Sequence, residues 1–324
     1  MPRRIWLLGT LLSAILFLFA PTLPGKSKPK NVTEKQHQDF SKYVEIPGAS
    51  KVGAEQCAQC HGEVAKNYRR SSHSVQEVDC EQCHGAGSLH VEAGGYSKES
   101  KDKIVSFRDR KPEEANGACL SCHAKSDHVR NWSSSAHAAQ DLKCATCHTI
   151  HAGESNGGSQ ALSTHADEGI AAPRALESRR TLNDKCLQCH HKQEAQADLP
   201  YHHPIREGKM TCIDCHDPHG GSAGNGLNAA SGNELCFQCH AEFQGPFSYQ
   251  HAPVNEDCMK CHSPHGSANQ NLLTISQPAL CLQCHSAHHN GASLPLIGRC
   301  TDCHNAIHGS DISSATGGSK FIDK

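Results

Sequence analysis

Methionine is almost absent from this chain of 324 residues, with only Met1, Met210 and Met259. Aromatic side chains make up 5% and apolar side chains 36% of the total. A chain so poor in large apolar groups cannot offset its ordering entropy by burying its own side chains. Some other apolar body has to supply the core, and without it the polypeptide is expected to be largely unfolded. An excess of one charge is missing too: 31 basic residues face 33 acidic ones. No basic stripe argues for nucleic acid. Long hydrophobic runs are confined to Ile5–Phe19, and about 16 apolar residues are short for a membrane span.

What the chain does have is cysteine and histidine. The signature C-x-x-C-H, which attaches c-type haem through two thioethers and one iron-ligating imidazole, occurs ten times. The sets are Cys57, Cys60 and His61; Cys80, Cys83 and His84; Cys119, Cys122 and His123; Cys144, Cys147 and His148; and Cys186, Cys189 and His190. They continue with Cys212, Cys215 and His216; Cys236, Cys239 and His240; Cys258, Cys261 and His262; Cys281, Cys284 and His285; and Cys300, Cys303 and His304. The ten sets use all twenty cysteines, which leaves none for a disulfide or a nucleophile. Zinc ribbons also use C-x-x-C pairs, but neither they nor a disulfide framework needs a His after every second Cys. Ten covalent haems c are therefore expected, and their propionates would make the loaded protein more acidic than its sequence.

Four regions follow in order. Residues 1–20 read as an export signal, with Arg3 and Arg4 before the apolar run; an uncleaved anchor is the weaker alternative. Export suits the chemistry, since c-type haem is attached outside the bacterial cytoplasm, and the absence of a nearby cysteine excludes a lipid anchor. Residues 21–52 are polar, Lys- and Pro-rich, and read as a flexible linker. Residues 53–310 form the haem domain. The Ser- and Gly-bearing tail, 311–324, reads as disordered. The fold class expected is a multihaem cytochrome c, mostly coil with short α-helices, an elongated haem wire and almost no sheet.

Beneath the signatures lies a repeat. Taken in pairs, they form five two-haem units at about 57–90, 119–151, 186–219, 236–265 and 281–308. In each unit a free His precedes the second signature. His73, His137 and His251 do so with six residues between, His203 with eight, and His288 or His289 with a longer gap. Another free His follows: His151, His219 and His265 three residues after the motif His, His308 four after, and His90 six after. With so little methionine, these spare imidazoles are the candidates for sixth ligands, giving saturated bis-His iron at a lower potential than His/Met. A His three residues beyond the motif His cannot easily reach the opposite face of the same haem, so it should ligate a neighbouring one. His37, His128, His165, His191, His202 and one of His288/His289 are left for solvated or supporting roles.

The run Leu235-Cys-Phe-Gln-Cys-His240, then His251-Ala-Pro-Val, then Cys258 to Ser267 with its His-Ser-Pro-His-Gly-Ser ending, resembles the paired C-x-x-C-H repeat. Ten such motifs behind an export signal resemble the MtrA/DmsE family of decahaem periplasmic cytochromes, most closely from Tyr201 to Ser310. That resemblance implies a periplasmic protein associated with the outer membrane, sitting inside a β-barrel partner and carrying electrons across that membrane. It also implies periplasmic electron carriers as partners and, in many members, an extracellular multihaem cytochrome. The distal ligands it implies are the ten spare positions named above. The Lys-rich linker and the long region 152–185 depart from the pattern and leave the partner and the direction of flow open.

Three functions compete. An electron conduit, not an enzyme, is favoured because ten saturated irons leave no place for a substrate. A multihaem reductase of nitrogen or sulfur oxyanions needs an open iron, often with Lys in place of the motif His, and all ten signatures keep His. A quinol-linked periplasmic shuttle would need residues 5–20 to remain as an anchor.

Overall fold

The computed structural model describes residues 39–151, 173–285 and 299–312. All of them lie in one compact unit beginning at Asp39. The export-signal segment, most of the tail, His37, His165, His288 and His289 fall outside the described residues. Within them there is no strand; pairing is limited to five isolated bridges. Regular structure consists of short helices, the longest being Pro173–Leu187 with 15 residues. None of the described helices is long and apolar enough to cross a membrane.

The core is as sparse as the composition requires. The buried apolar residues among those described are Tyr43, Val105, Ala115, Ala118, Ala197 and Leu273. Buried polar residues equal them in weight: Glu81, Ser100, Asn116, Ser135, Asn183, Thr211 and Ser267. Buried polar groups persist only where they are hydrogen-bonded, so this interior is organised by polar contacts around the attachment sites.

The two signatures of a unit sit on different local structures. First signatures occupy α-helices: Ala54–Cys60, Pro112–His123, Pro173–Leu187, Gly232–Phe237 and Ala279–Leu282. The Pro112–His123 helix starts as such helices should, with Pro at its first turn and Glu113 and Glu114 beside its positive end. Second signatures occupy single turns: Cys80–His84, Cys144–Cys147, Cys212–Asp214, Cys258–Lys260 and Cys300–Asp302. Side-chain caps hold several of these turns, including Asp79 on the Gln82 amide and Asp257 on the Met259 amide.

Residues 39–52, within the stretch that reads as linker, are docked. Tyr43 is buried, its hydroxyl donates to Glu113 at 3.0 Å, and its ring fills the space beside Gly117. Val52 and Gly53 donate their amides to the Glu81 carboxylate, each at 2.9 Å. At the other end, Asp311 accepts from the Ser248 amide at 2.8 Å.

The third and fourth units repeat one fold-back loop. The Asp217 amide donates to Gly226 O at 2.7 Å and the Asn228 amide to Cys215 O at 3.0 Å. In the next unit the Ser263 amide donates to Leu272 O at 2.7 Å and the Thr274 amide to Cys261 O at 2.8 Å. Asn225 and Asn271 take the left-handed backbone at the loop tips, with φ of 60° and 58°, a conformation Asn tolerates better than most residues.

Candidate functional site

Attachment begins with the thiols. All twenty cysteines are unpaired, and the first Cys of every signature is half-buried. In eight signatures the motif His amide bonds the carbonyl of the first Cys at 2.8–3.0 Å; His61, His190 and His304 are examples. That single α-type turn brings both thiols and the imidazole of one signature together.

The first thiols of the two signatures in a unit face each other. The contact between facing thiols pushes Cys119 up and holds Cys144 down, and it likewise pushes Cys212 up and holds Cys186 down. Burial is the leading cause that pushes Cys57, Cys258 and Cys281 up to about 11, reinforced by the facing cysteine. These shifts belong to the free thiols and vanish once thioethers form.

The histidines then pair. His61 faces His90 with ring centres 6.4 Å apart, His73 faces His123 at 5.8 Å and His84 faces His151 at 5.9 Å. His137 faces His190 at 6.1 Å, His148 faces His219 at 5.8 Å and His203 faces His240 at 6.3 Å. His216 faces His265 at 6.1 Å, His251 faces His285 at 6.0 Å and His262 faces His308 at 6.1 Å. Every pair joins a motif His to one of the spare histidines picked out by spacing. An imidazole nitrogen sits about 2 Å from a metal and about 1 Å from its own ring centre, so two rings sharing one metal have centres about 6 Å apart. The nine spacings fit one metal atom between each pair.

The partner is not the one sequence proximity suggests. His151 follows the second signature of the second unit but faces His84 of the first unit. His219, His265 and His308 likewise face the second-signature His of the unit before them. In the other direction, His73, His137, His203 and His251 face the first-signature His of the unit after them. Each junction between units is thus crossed twice, once each way. The first unit has no unit before it, and its trailing His90 turns back onto His61 of the same unit. The spacing of three residues directs His151, His219 and His265 toward a neighbouring haem; in the geometry these rings and that of His308 face the unit before their own.

Backbone carbonyls fix the orientation of six of these rings, and spacing could identify none of those carbonyls. Nδ1 of His84 bonds Val105 O at 2.8 Å, and Nδ1 of His90 bonds Ser100 O at 2.7 Å. His216 bonds Asn225 O at 2.9 Å and His262 bonds Asn271 O at 2.8 Å, from the tips of the fold-back loops. His137 bonds Pro218 O at 2.9 Å and His203 bonds Pro264 O at 2.7 Å, each carbonyl belonging to the residue before the other distal His of that junction. A ring that donates from Nδ1 presents a bare Nε2, the arrangement metal-binding histidines use. Burial pushes His84, His148, His151, His251, His265 and His308 down from the usual imidazole range. They therefore stay neutral and keep the lone pair a metal needs.

A Gly after the distal His lets units meet. A Cβ on Gly266 would lie 1.9 Å from Gln196 O, one on Gly220 would lie 2.6 Å from Asn131 O, and one on Gly309 would lie 2.2 Å from the Phe247 ring. The recurring His-Gly step in 219–220, 265–266 and 308–309 was the sequence signal for this close approach. Mutual backbone bonds close two junctions: Tyr201 with Ser267 at 2.8 and 3.2 Å, and Tyr249 with Ser310 at 2.9 and 3.0 Å.

The other described histidines stay apart from these pairs. His128 and His191 are exposed, and His191 lies 3.4 Å from Glu194. His202 engages both ring nitrogens, Nδ1 with Leu199 O at 2.6 Å and Nε2 with Glu207 at 3.2 Å. Among the described residues no three His, Cys, Asp or Glu side chains converge on a metal-ion site. The arrangement offers paired rings flanked by thiols, which suits a planar macrocycle and does not suit a tetrahedral ion.

Comparison with known proteins agrees. The family described as the doubled CXXCH motif matches residues 202–245 and 251–290. The chain is 26% identical over 144 residues to the cytochrome c-type protein NrfB of Haemophilus influenzae, covering 43% of this chain and 45% of that protein. To the multiheme cytochrome MtrA of Shewanella baltica it is 32% identical over 318 residues, covering 90% of this chain and 88% of the relative. Identity sustained over nearly the whole of both chains, on a repeat built to attach haem c and pass electrons, places this chain in the MtrA family of multihaem c-type cytochromes.

Proposed function

We propose that this protein is a decahaem electron conduit, with no substrate of its own, that works from the periplasm across the outer membrane inside a β-barrel partner. The observation that carries the reading is the set of nine imidazole pairs spaced 5.8–6.4 Å apart, eight of them across the unit junctions. Haem c, once attached, supplies one-electron ferric–ferrous chemistry. The residues supply the rest. The two cysteines of each signature would tether the macrocycle, and the motif His and its facing His would hold its iron. The carbonyl acceptors lock the imidazole planes, and a saturated iron leaves small molecules no point of attack.

His288 or His289, the spare position left by spacing, is the ligand that would complete ten sites. Crossed ligation means that each haem of a junction is held by two units, so the row of haems and the polypeptide assemble together. Irregular backbone of this kind is not tolerated in contact with lipid, and a large barrel is the sheath that could enclose it. An extracellular multihaem cytochrome and periplasmic electron carriers are the expected partners at the two ends.

Reconstitution tests this. Liposomes loaded with a redox dye should exchange electrons with an external reagent only when cytochrome and barrel are both present. A cytochrome that never co-purifies with a barrel, and supports no such exchange, would reduce the role to periplasmic electron carriage. Reduction of nitrite at enzyme-like rates would replace the conduit with a reductase.

A further inference from the structure

Each unit is held together by one polar side chain that spans its two signatures. In the three central units this is an Asn three residues before the first Cys. Asn116 Oδ1 accepts from the Cys144 amide at 2.8 Å, Asn183 Oδ1 from the Cys212 amide at 2.9 Å and Asn233 Oδ1 from the Cys258 amide at 2.8 Å. In each case the amide belongs to the first Cys of the second signature. The amide nitrogen of the same Asn donates to the segment leading into that signature: to Leu142 O at 2.9 Å, to Ile205 O and Met210 O at 3.1 and 3.0 Å, and to Val254 O at 3.0 Å. Asn183 is 2% exposed and Asn116 is 7% exposed. A buried amide that makes two or three bonds of this length has one orientation open to it.

The end units lack this Asn and use another pair of positions. Gln277, four residues before Cys281, accepts from the Thr301 amide at 3.1 Å and the Thr301 hydroxyl at 3.2 Å. Glu81 reverses the direction: it follows Cys80 and accepts from the amide of Gly53, four residues before Cys57, at 2.9 Å. Five units therefore reach one outcome by two routes, with the turn leading into the first signature tied to the opening residues of the second.

We propose that these side chains are positioning residues for electron transfer: they set the spacing and tilt of the two haems within each unit, and with them the electronic coupling of the pair. A clamp needed only for folding could sit anywhere in the unit. Here the bond falls, on the second signature, at the first thiol-bearing residue or the one after it, and on the first signature within about one helical turn of the first Cys, and the first thiols of a unit face each other. A shift of either backbone moves a thioether, and the thioether moves the macrocycle. The inference rests on the reading that both signatures of each unit carry haem.

The test is Asn183→Leu in the fully loaded protein, with haem counted by pyridine haemochrome. The readouts are the excitonic couplet in Soret circular dichroism, which reports haems held close, and the splitting of the reduction potentials of that pair. We expect unchanged haem content, loss of about one fifth of the couplet because independent pairs add, and a narrower potential splitting. Asn183→Asp keeps the accepting oxygen and should restore the couplet. If Asn183→Leu does not assemble, Gln277→Met at its half-exposed site in the last unit decides by the same readouts. Full haem content with couplet and splitting unchanged, in whichever variant assembles, overturns the proposal. Fewer than ten haems in the unsubstituted protein overturns the reading beneath it instead.

Discussion

The two signatures of a unit build two different kinds of histidine pair. At the second signatures the facing rings are nearly parallel: 18° for His84–His151, 14° for His148–His219, 15° for His216–His265 and 20° for His262–His308. At the first signatures that pair across a junction the angle varies widely, from 82° for His73–His123 through 71° for His137–His190 and 50° for His203–His240 to 29° for His251–His285, while His61–His90, closed within the first unit, is near parallel at 19°. In three of the four second-signature pairs the distal His, His219, His265 or His308, is followed by a Gly pressed against the unit before it; Ala152 follows His151. The distal His of the other kind comes from a less uniform stretch, with six residues before Cys144 but eight before Cys212. Parallel rings occur at His151 without that Gly, so what the four sites share is the short step of three or four residues from motif His to distal His, and a variable approach accompanies the varied angles. A wire of this design alternates a standardised site with an adjustable one.

The sharpest way to break a standardised site that has such a Gly is to remove it. Gly266→Ala would place a Cβ 1.9 Å from Gln196 O, and overpacking against backbone costs about 1–3 kcal/mol. We expect this variant to lose that stability in denaturant titration and to disturb the His216–His265 site before any other. Gly62→Ala, where a Cβ meets nothing within 4 Å, should change stability by under about 0.5 kcal/mol.

Exchange of ligand type probes one site of each kind. His265→Met and His203→Met should each raise the potential of one haem, since a thioether ligand favours the ferrous state relative to imidazole, with haem content unchanged. His191→Met, at an exposed ring outside every pair, should move none. If spectroelectrochemical titration shows no shift for His265→Met, His265 is not a ligand.

The smallest effect belongs to the first unit, whose clamp is a carboxylate. Burial pushes Glu81 up, but the amides of Val52, Gly53 and Gly87 outweigh it and hold the group below the usual glutamate value. A depressed carboxylate contributes stability that is present above its unfolded pKa and is lost as pH falls through the folded one. Glu81→Gln should therefore cost about 1–2 kcal/mol at neutral pH and remove an acid-dependent loosening of the first unit, read as hydrogen exchange at Val52 and Gly53. Equal acid sensitivity in both proteins would count against the clamp.

Much of this could be read from residue order, because covalent haem attachment demands a fixed local motif. The signatures, the five-unit repeat and the lack of sheet all follow from short-range pattern. So did the separation of His151, His219 and His265 from His128, His191 and His202. Which His meets which could not be read, since spacing along the chain says nothing of what the next unit brings alongside. His90 illustrates this: its irregular offset looked like a weak match to the repeat, yet it reflects a first unit with no predecessor to reach. The orienting carbonyls of Val105, Ser100, Asn225 and Asn271 carry no side-chain signature at all. The Asn before Cys119, Cys186 and Cys236 did recur visibly, but its meaning needed the amide it faces.

Low-temperature electron paramagnetic resonance of the oxidised protein, quantified against total haem, tests the central claim that the facing histidines are the axial pairs. Near-parallel imidazole planes split the iron d orbitals and give rhombic low-spin signals, whereas near-perpendicular planes leave them almost degenerate and give strongly anisotropic ones. Among the nine described pairs, six lie between 14° and 29° and two lie at 71° and 82°. The account predicts low-spin iron throughout, with both signal types present and the rhombic type dominant. A high-spin signal equal to one haem or more, or a single uniform low-spin type, would contradict it.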